Sequence, residues 1–174
     1  MLLWQAGQWE AAAVLAAVDQ DKRLATRASG GRGYTLLHEG ARGNTLLHKA
    51  SEFGLVELAG GLLDRGASLS AKDGNGWEAL FLACAYDRLA VAALLLDRGA
   101  DPNTSGVSLT ALGRAASYDY LDVCLLLLSR SADLMAQMPD DGRIALELYD
   151  ELKHAPLRPA ELAARRAALV AAWE

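Results

Sequence analysis

The sequence has few of the features that mark disordered or fibrous chains. It contains only 4 prolines in 174 residues, and 52% of its residues are hydrophobic while 22% are charged. Because the composition is so apolar and contains so little proline, the chain does not belong to the class of intrinsically disordered proteins. The length is that of one domain with a continuous core. We therefore expect most of the chain to fold as a single unit.

The chain also lacks an excess of positive charge and long apolar runs. It carries 17 Lys and Arg against 22 Asp and Glu, a formal net charge of −5, whereas nucleic-acid binding needs clustered cations. Each leucine-rich run is interrupted by Gly, Asp or Arg before it reaches the length of a membrane span. The residues from Met1 to Glu10 contain neither a basic leader nor an A-x-A cleavage site. We predict a cytoplasmic protein with no nucleic-acid partner and no membrane partner.

Reactive and metal-binding residues are equally scarce. Cys84 and Cys124 each lie within an Ala/Leu helical pattern, where a free thiol behaves as a small hydrophobic side chain. His38 and His48 have no Cys, His or carboxylate at a metal-ligand spacing. The segment Gly30-Gly-Arg-Gly33 lacks the Lys-Ser/Thr ending of a phosphate-binding loop. We expect no enzyme activity, no cofactor and no metal, and we assign both cysteines to the core.

What the sequence does contain is an internal repeat. The first complete copy opens with Gly43-Asn-Thr-Leu-Leu-His48-Lys-Ala50 and closes with Leu62-Leu-Asp-Arg-Gly66-Ala67. Gly43 and Gly76 lie 33 residues apart, as do Gly66 and Gly99. A fixed period of this length predicts stacked supersecondary units. The same order of residues occurs three times, at 43–67, 76–103 and 110–133.

This repeat resembles the ankyrin family, in which T-P-L-H-x-A opens a first helix and L-L-x-x-G-A-D closes a second. The resemblance is strong from about Gly33 to Asp133. It implies an all-α solenoid of stacked helix pairs, with about five repeats including degenerate terminal caps. The implied boundaries are an N-terminal cap repeat at 1–31, a duplicated insertion at 32–42, full repeats at 43–75, 76–107 and 108–139, and a C-terminal cap at 140–174.

The physical properties of the helices predict the same architecture. Each helix is short and amphipathic, so it becomes stable only by stacking on its neighbours. The leucines of the second helices supply the shared core. At the chain ends, Leu2–Ala6 and Trp9–Val18 are predicted as the helices of the starting repeat, and Ala160–Trp173 as the last helix.

Several positions depart from the family pattern. Its Thr and His are complete only in Thr35-Leu-Leu-His38 and Thr45-Leu-Leu-His48, where the resemblance implies that they bond within the turn and brace neighbouring repeats. Phe81 and Gly113 stand at the His positions of the later copies, so apolar packing should replace the brace there. Ser131 occupies the place of a glycine after a second helix, and that helix end should be strained or differently closed.

A tandem near-copy precedes the first full repeat. Arg32-Gly-Tyr-Thr-Leu-Leu-His-Glu-Gly-Ala41 is followed at once by Arg42-Gly-Asn-Thr-Leu-Leu-His-Lys-Ala50. The second copy leads directly into the rest of the repeat, so we assign it as the opening and the first as an insertion. Either the duplication is neutral, because long surface loops cost little, or it enlarges the turn face on which ankyrin proteins contact partners.

The resemblance implies a protein–protein interaction module that uses its concave face and turn tips, as an inhibitor, immunity protein or other regulatory partner of an unidentified protein. Ankyrin repeats vary just after the turn glycine and at the exposed end of the first helix. Phe53, Tyr86 and Tyr118 recur once per repeat, and aromatic side chains are enriched at binding hot spots. The predicted partner-binding residues are Asn44, Glu52, Phe53, Asn75, Trp77, Tyr86, Leu109, Tyr118 and Arg143.

Two alternatives stay open at this stage. The recurring aromatic side chains could pack between adjacent repeats, whereas Trp77 follows the turn glycine Gly76, where its ring should find little core to enter. The second functional alternative is a small-molecule sensor that uses the aromatic residues as a pocket, although solenoid faces are usually too open to enclose a ligand. We expect the isolated chain to be a monomer.

Overall fold

The computed structural model describes residues 11–20, 44–137, 142–145, 147 and 159–173. Within these ranges the chain forms eight α-helices and no strand, with one isolated β-bridge between Ser105 and Thr110. The predicted all-α fold is confirmed. The helices are α1 (Ala11–Gln20), α2 (Leu46–Phe53), α3 (Val56–Asp64), α4 (Ala79–Ala85), α5 (Leu89–Asp97), α6 (Ala111–Ser117), α7 (Leu121–Ser129) and α8 (Pro159–Trp173).

The helices pack in two rows. The first helices of the three repeats, α2, α4 and α6, pack on one another in order, and the second helices α3, α5 and α7 form the other row. Each first helix also packs against the second helix of its own repeat. Alanines at one equivalent position of the first helices are fully buried and let these helices approach closely. The buried residues of this kind are Ala50, Ala83 and Ala115, and the core leucines include Leu58, Leu62, Leu95 and Leu127.

The first helix of the first full repeat begins at a reciprocal cap. The backbone N–H of His48 donates to Thr45 Oγ1 at 3.4 Å, and His48 Nδ1 accepts the backbone N–H of Thr45 at 3.1 Å. The pair satisfies N–H groups that a helix start leaves without intrahelical partners. Thr110 caps α6 through the N–H of Gly113 at 3.0 Å, whereas α4 follows Glu78 with no side-chain cap.

The second helices all end at a left-handed residue. Gly66, Gly99 and Ser131 have φ values of 85°, 89° and 67°. In each case the N–H of the following alanine returns to the carbonyl of the fifth residue before it, at 3.0 Å. The helix that ends at Ser131 therefore has the same closing hydrogen bond as the helices that end at glycines. Since a side chain crowds the backbone at positive φ, the structure agrees with the first of the two predicted outcomes, a strained helix end.

Single helices extend the second-helix row at both ends. α1 packs against α3, and α8 packs against α7. Val18 of α1 and Leu169 of α8 are buried in the core. α1 overlaps most of the predicted Trp9–Val18 helix, and α8 begins one residue before the predicted Ala160–Trp173 helix. The predicted helix Leu2–Ala6 and the predicted insertion at 32–42 lie outside the described residues.

Ion pairs connect each of the second helices α3, α5 and α7 to the preceding member of the row, and we term the series the Arg–Asp ladder. The pairs are Arg65 with Asp19 at 2.6 Å, Arg98 with Asp64 at 2.8 Å, and Arg130 with Asp97 at 2.7 Å. Exposed pairs of this kind contribute little free energy to folding, but they show which helices occupy equivalent positions in the row. Asp64 and Asp97 are 33 residues apart in the chain, whereas Asp19 and Asp64 are 45 apart. The helix α1 thus takes the place of a second helix, and the chain that connects it to α3 exceeds one period.

Both cysteines lie in the core, as predicted. Cys84 in α4 and Cys124 in α7 are fully buried and free. Burial raises the pKa of the Cys124 thiol to about 12, and it raises the pKa of Cys84 as well. Neither thiol ionises appreciably at neutral pH, so both behave as small apolar side chains.

Candidate functional site

Three aromatic side chains occupy the same place in three successive repeats. Phe53 is the last residue of α2, and Tyr86 and Tyr118 are the C-cap residues of α4 and α6. Their exposed fractions are 44%, 44% and 55%. Tyr118 also stacks on Tyr120 of its own repeat, with ring centroids 5.6 Å apart. Because α2, α4 and α6 pack in order, these residues follow one another along one edge of the first-helix row, and we term them the aromatic row.

A cation lies beside the first and the last member of the aromatic row. Lys49 Nζ is 5.7 Å from the Phe53 ring centroid and 2.8 Å from Glu52 Oε2. The Arg114 guanidinium is 5.8 Å from the Tyr118 ring centroid. In both cases the cation precedes the aromatic residue by four positions, which places them on the same helix face. Neither cation is among the predicted site residues, although both stand at the variable position of the repeat opening.

The expectation that the Trp77 ring finds little core is wrong. The ring is half-buried, packs against the core and contacts Phe81, with ring centroids 5.2 Å apart. Gly106 in the next turn leaves room for it, because a Cβ atom there would lie 2.8 Å from Trp77 Nε1 and 2.9 Å from Phe81 Cζ. Trp77 therefore packs between its own repeat and the following turn. Whether it also contacts a partner stays a prediction.

Asp73 organises the hairpin that carries Trp77. Its Oδ1 atom accepts the backbone N–H groups of Asn75 and Trp77, both at 2.8 Å. Its Oδ2 atom accepts from Asn75 Nδ2 at 3.1 Å. The predicted site residue Asn75 is therefore half-buried and engaged within its own turn.

His48 ties this hairpin to the preceding repeat. Its Nε2 donates to the carbonyl oxygen of Trp77 at 2.9 Å, while its Nδ1 accepts from Thr45. Burial lowers the pKa of His48, and the hydrogen bond to Trp77 opposes this only in part. The brace implied by the family resemblance is confirmed for this repeat, while His38 lies outside the described residues. In the next repeat the fully buried Phe81 replaces the brace by apolar packing, as predicted.

The remaining predicted residues that follow a turn are less exposed than the aromatic row. Leu109 is half-buried and packs on the core. Asn44 is half-buried, and its Oδ1 atom has no hydrogen-bond partner among the described residues. Arg143 is half-buried and follows Gly142, which has a φ of 71°. These three side chains therefore offer less exposed surface than the aromatic row.

Val107 is a hairpin residue that the sequence analysis missed. Its side chain is 72% exposed, more than any member of the aromatic row. In the repeat alignment it stands at the position of Asn75 in the preceding hairpin. Asn75 was predicted as a site residue, and the equivalent position of the next repeat would have identified Val107.

The repeat geometry has a counterpart among known families. A family profile described as ankyrin repeats (3 copies) matches residues 10–106 and again residues 47–138. The chain belongs to the ankyrin-repeat family. The two matches together include every helix from α1 to α7. Ankyrin repeats are generally protein–protein interaction modules, and the family is typically non-enzymatic.

One stretch of this ankyrin-repeat protein is similar to a much longer nematode protein. The Ankyrin repeat and LEM domain-containing protein 1 homolog of Caenorhabditis elegans is 46% identical to it over 59 residues. The shared stretch covers 34% of this chain and 8% of the nematode protein. The chain therefore matches only a small part of that relative.

Two other features are absent from the described residues. No group of three or more His, Cys, Asp or Glu side chains there is arranged to hold a metal ion. No helix in the same ranges is both long enough and apolar enough to cross a membrane. The aromatic row and its neighbouring cations remain the candidate site.

Proposed function

We propose that this ankyrin-repeat protein binds another protein through the aromatic row, the neighbouring cations Lys49 and Arg114, and the hairpin tip at Val107. In ankyrin proteins the ends of the first helices and the hairpin tips border the concave face. The proposal is carried by the recurrence of three half-exposed aromatic side chains at one position of successive repeats. Aromatic side chains bury a large area at little entropic cost and dominate binding hot spots.

The second helices of the three full repeats, α3, α5 and α7, offer much less for an apolar contact. On α3, α5 and α7, Leu89 is the only large hydrophobic side chain that is exposed, at 40%. The ends of the same helices carry the Arg–Asp ladder, whose charges are already paired. An apolar partner surface would therefore gain more by contacting the first helices.

A pull-down with the purified chain tests this proposal. The test variant replaces Phe53, Tyr86 and Tyr118 by Ala, and Leu89→Ala is the control for loss of an exposed hydrophobic side chain on the other row. The wild type and the control should recover a stoichiometric protein from native cell extract, and the triple variant should not. Each exposed site should change the free energy of unfolding by less than about 0.5 kcal/mol. Equal recovery by the folded triple variant would move the interface elsewhere.

We infer in addition that the chain acts by binding and not by catalysis. Both cysteines are buried with raised pKa values, and the His48 ring is engaged in the brace between repeats. The cysteine and histidine side chains among the described residues are thus committed to the fold. The two free thiols fit a reducing, cytoplasmic compartment.

The more specific form of the proposal is that the chain inhibits or regulates the protein it binds. The partner recovered in the pull-down should then change in activity when an equimolar amount of the chain is added. The triple variant should leave that activity unchanged. A partner whose activity is the same with and without the chain would indicate a scaffold.

A further inference from the structure

Arg114 differs from the arginines that form ion pairs along the stack. Arg65, Arg98, Arg130 and Arg165 each lie within 2.8 Å of an aspartate oxygen. Arg114, on the first helix α6, has no such carboxylate among the described residues, and its buried Nε atom has no hydrogen-bond partner. A buried donor without an acceptor is uncommon and costs free energy in the unbound protein.

Two aromatic rings hold the Arg114 side chain in place. Its guanidinium lies 6.0 Å from the Phe81 ring centroid and 5.8 Å from the Tyr118 ring centroid. Phe81 is fully buried, so one of the two rings is fixed by the core. A guanidinium between rings has lost much of its freedom before any ligand arrives, and it is weakly hydrated. Because Nε is buried, a carboxylate would bind through the two Nη groups, which are not among the buried atoms without a partner.

The charge around the aromatic row is uneven. The equivalent positions in the two preceding repeats are Lys49, which is neutralised by Glu52 at 2.8 Å, and Leu82. Arg88, two residues after Tyr86, has no carboxylate partner among the described residues either, but its Nε donates to the Glu52 carbonyl oxygen at 3.0 Å. Arg114 differs from both cations in that its buried Nε has no acceptor. The whole chain is negative, with a formal net charge of −5, so long-range attraction does not bring an acidic partner to the protein. The preference for an acidic partner therefore has to come from the local contact with Arg114.

We propose that Arg114 receives an Asp or Glu side chain of the partner protein, presented beside an apolar side chain that contacts Tyr118 and Tyr86. Arg pairs with carboxylates through two parallel N–H···O bonds, which fixes the orientation of the bound group. Arg114 is thus the residue that determines specificity on the surface, while the aromatic rings supply contact area. This inference rests on the proposed function.

A displayed library of random linear peptides, selected on the immobilised full-length chain, provides the probe. The selected sequences should share an acidic residue next to an aromatic or aliphatic one. A synthetic peptide of the consensus should bind Arg114→Gln at least about tenfold more weakly than wild type, since a hydrogen bond to a charged group has that value. Replacing its acidic residue by the matching amide should cost the same factor on the wild-type chain. The two changes together should cost no more than either one, which is the mark of a direct pair.

The outcomes separate this inference from the function on which it rests. If the peptides lose affinity for Tyr86→Ala but bind Arg114→Gln as tightly as wild type, or share no acidic residue, the Arg114 assignment is overturned and the binding surface stands. If both variants bind as wild type, or if no peptide is selected, both proposals fail. Should Arg114→Gln not fold, the peptide-side substitution on the wild-type protein decides the question alone, because a consensus acid that can be replaced by its amide without loss contradicts the pair.

Discussion

His48 Nε2 and the carbonyl oxygen of Trp77 lie 2.9 Å apart across the boundary between two repeats. A carbonyl only accepts, so this contact assigns the proton to Nε2 and leaves Nδ1 to accept from Thr45. The brace therefore uses the neutral ring, and it is buried. A protonated ring would still donate from Nε2 to Trp77 but would lose the Nδ1 acceptor of the Thr45 N–H, so the helix cap depends on this histidine remaining neutral.

We predict that the free energy of unfolding falls as the pH decreases below about 6.5. Burial lowers the pKa of His48 from its ordinary 6.5, so the unfolded chain takes up the proton first. The contribution of the neutral ring is fully present above the unfolded pKa and is lost towards the lowered folded pKa. One proton gives a slope of at most about 1.4 kcal/mol per pH unit. Urea unfolding between about pH 7.5 and about pH 5.5 measures it.

The control for this prediction removes the titrating ring. His48→Gln should flatten the pH dependence, although it also weakens the brace at every pH. Equal slopes in wild type and His48→Gln would exclude His48 as the source.

Trp77→Ala should destabilise the fold. The ring packs on Phe81 and fills the space left by Gly106, so its loss opens a cavity between a repeat and the next turn. Full burial would give a loss of about 3–5 kcal/mol; because the ring is half-buried, we expect about 2 kcal/mol. Tyr86→Ala, at an exposed site, should cost less than about 0.5 kcal/mol. Thermal unfolding compares them, and an unchanged melting temperature for Trp77→Ala would show that the ring does not stabilise the packing between the repeat and the next turn.

The adjacent glycines of α3 should respond differently to alanine. A Cβ atom at Gly60 would meet Leu94 Cδ2 at 3.8 Å, an ordinary contact, whereas at Gly61 it would collide with the Leu15 side chain of α1. Gly60→Ala should stabilise by up to about 1 kcal/mol, the helix-propensity difference. Gly61→Ala should lose that gain because α1 has to shift. Urea unfolding of both variants tests this, and equal stabilisation would mean that α1 does not pack on Gly61.

Ser131→Gly should stabilise the protein by about 0.5 to 1 kcal/mol. The left-handed backbone costs a side-chain-bearing residue about 1 to 2 kcal/mol, of which glycine's greater freedom in the unfolded chain returns a part. The reciprocal change Gly99→Ser, at φ 89° in the preceding repeat, should destabilise by a similar amount. Denaturant midpoints compare the two, and a shift of the same sign in both would contradict the explanation.

The fold could be predicted because its signals are local and periodic. The Thr45 cap involves a side chain three residues away, and the glycines that close the helices recur at one spacing. Such features are visible in a single repeat and are reinforced by the next one. The same reasoning placed Cys84 and Cys124 in the core.

The candidate site was predictable only as a set of positions. Repeat alignment identifies the exposed ends of the first helices, where Phe53, Tyr86 and Tyr118 lie. It does not show that the Trp77 ring turns inward, because the glycine that admits it is Gly106, in the next turn of the chain. Side-chain direction at a turn depends on the space that the neighbouring turn leaves. The partner-binding assignments of these residues stay predictions.

The Arg–Asp ladder shows where an added repeat would keep its ion pairs. Each arginine reaches back to the aspartate of the preceding helix, but Ser129 stands where the first two repeats have Asp64 and Asp97. In a duplicated 33-residue unit inserted after Arg98, the arginine could pair with Asp97 of the preceding repeat, and its aspartate could pair with the arginine of the following repeat. Inserted after Arg130, its arginine would meet the Ser129 hydroxyl, which is already bonded to the Leu126 carbonyl. Gene duplication within the stack would therefore keep every arginine of the ladder paired, whereas a repeat added after the third one would leave its arginine without an aspartate.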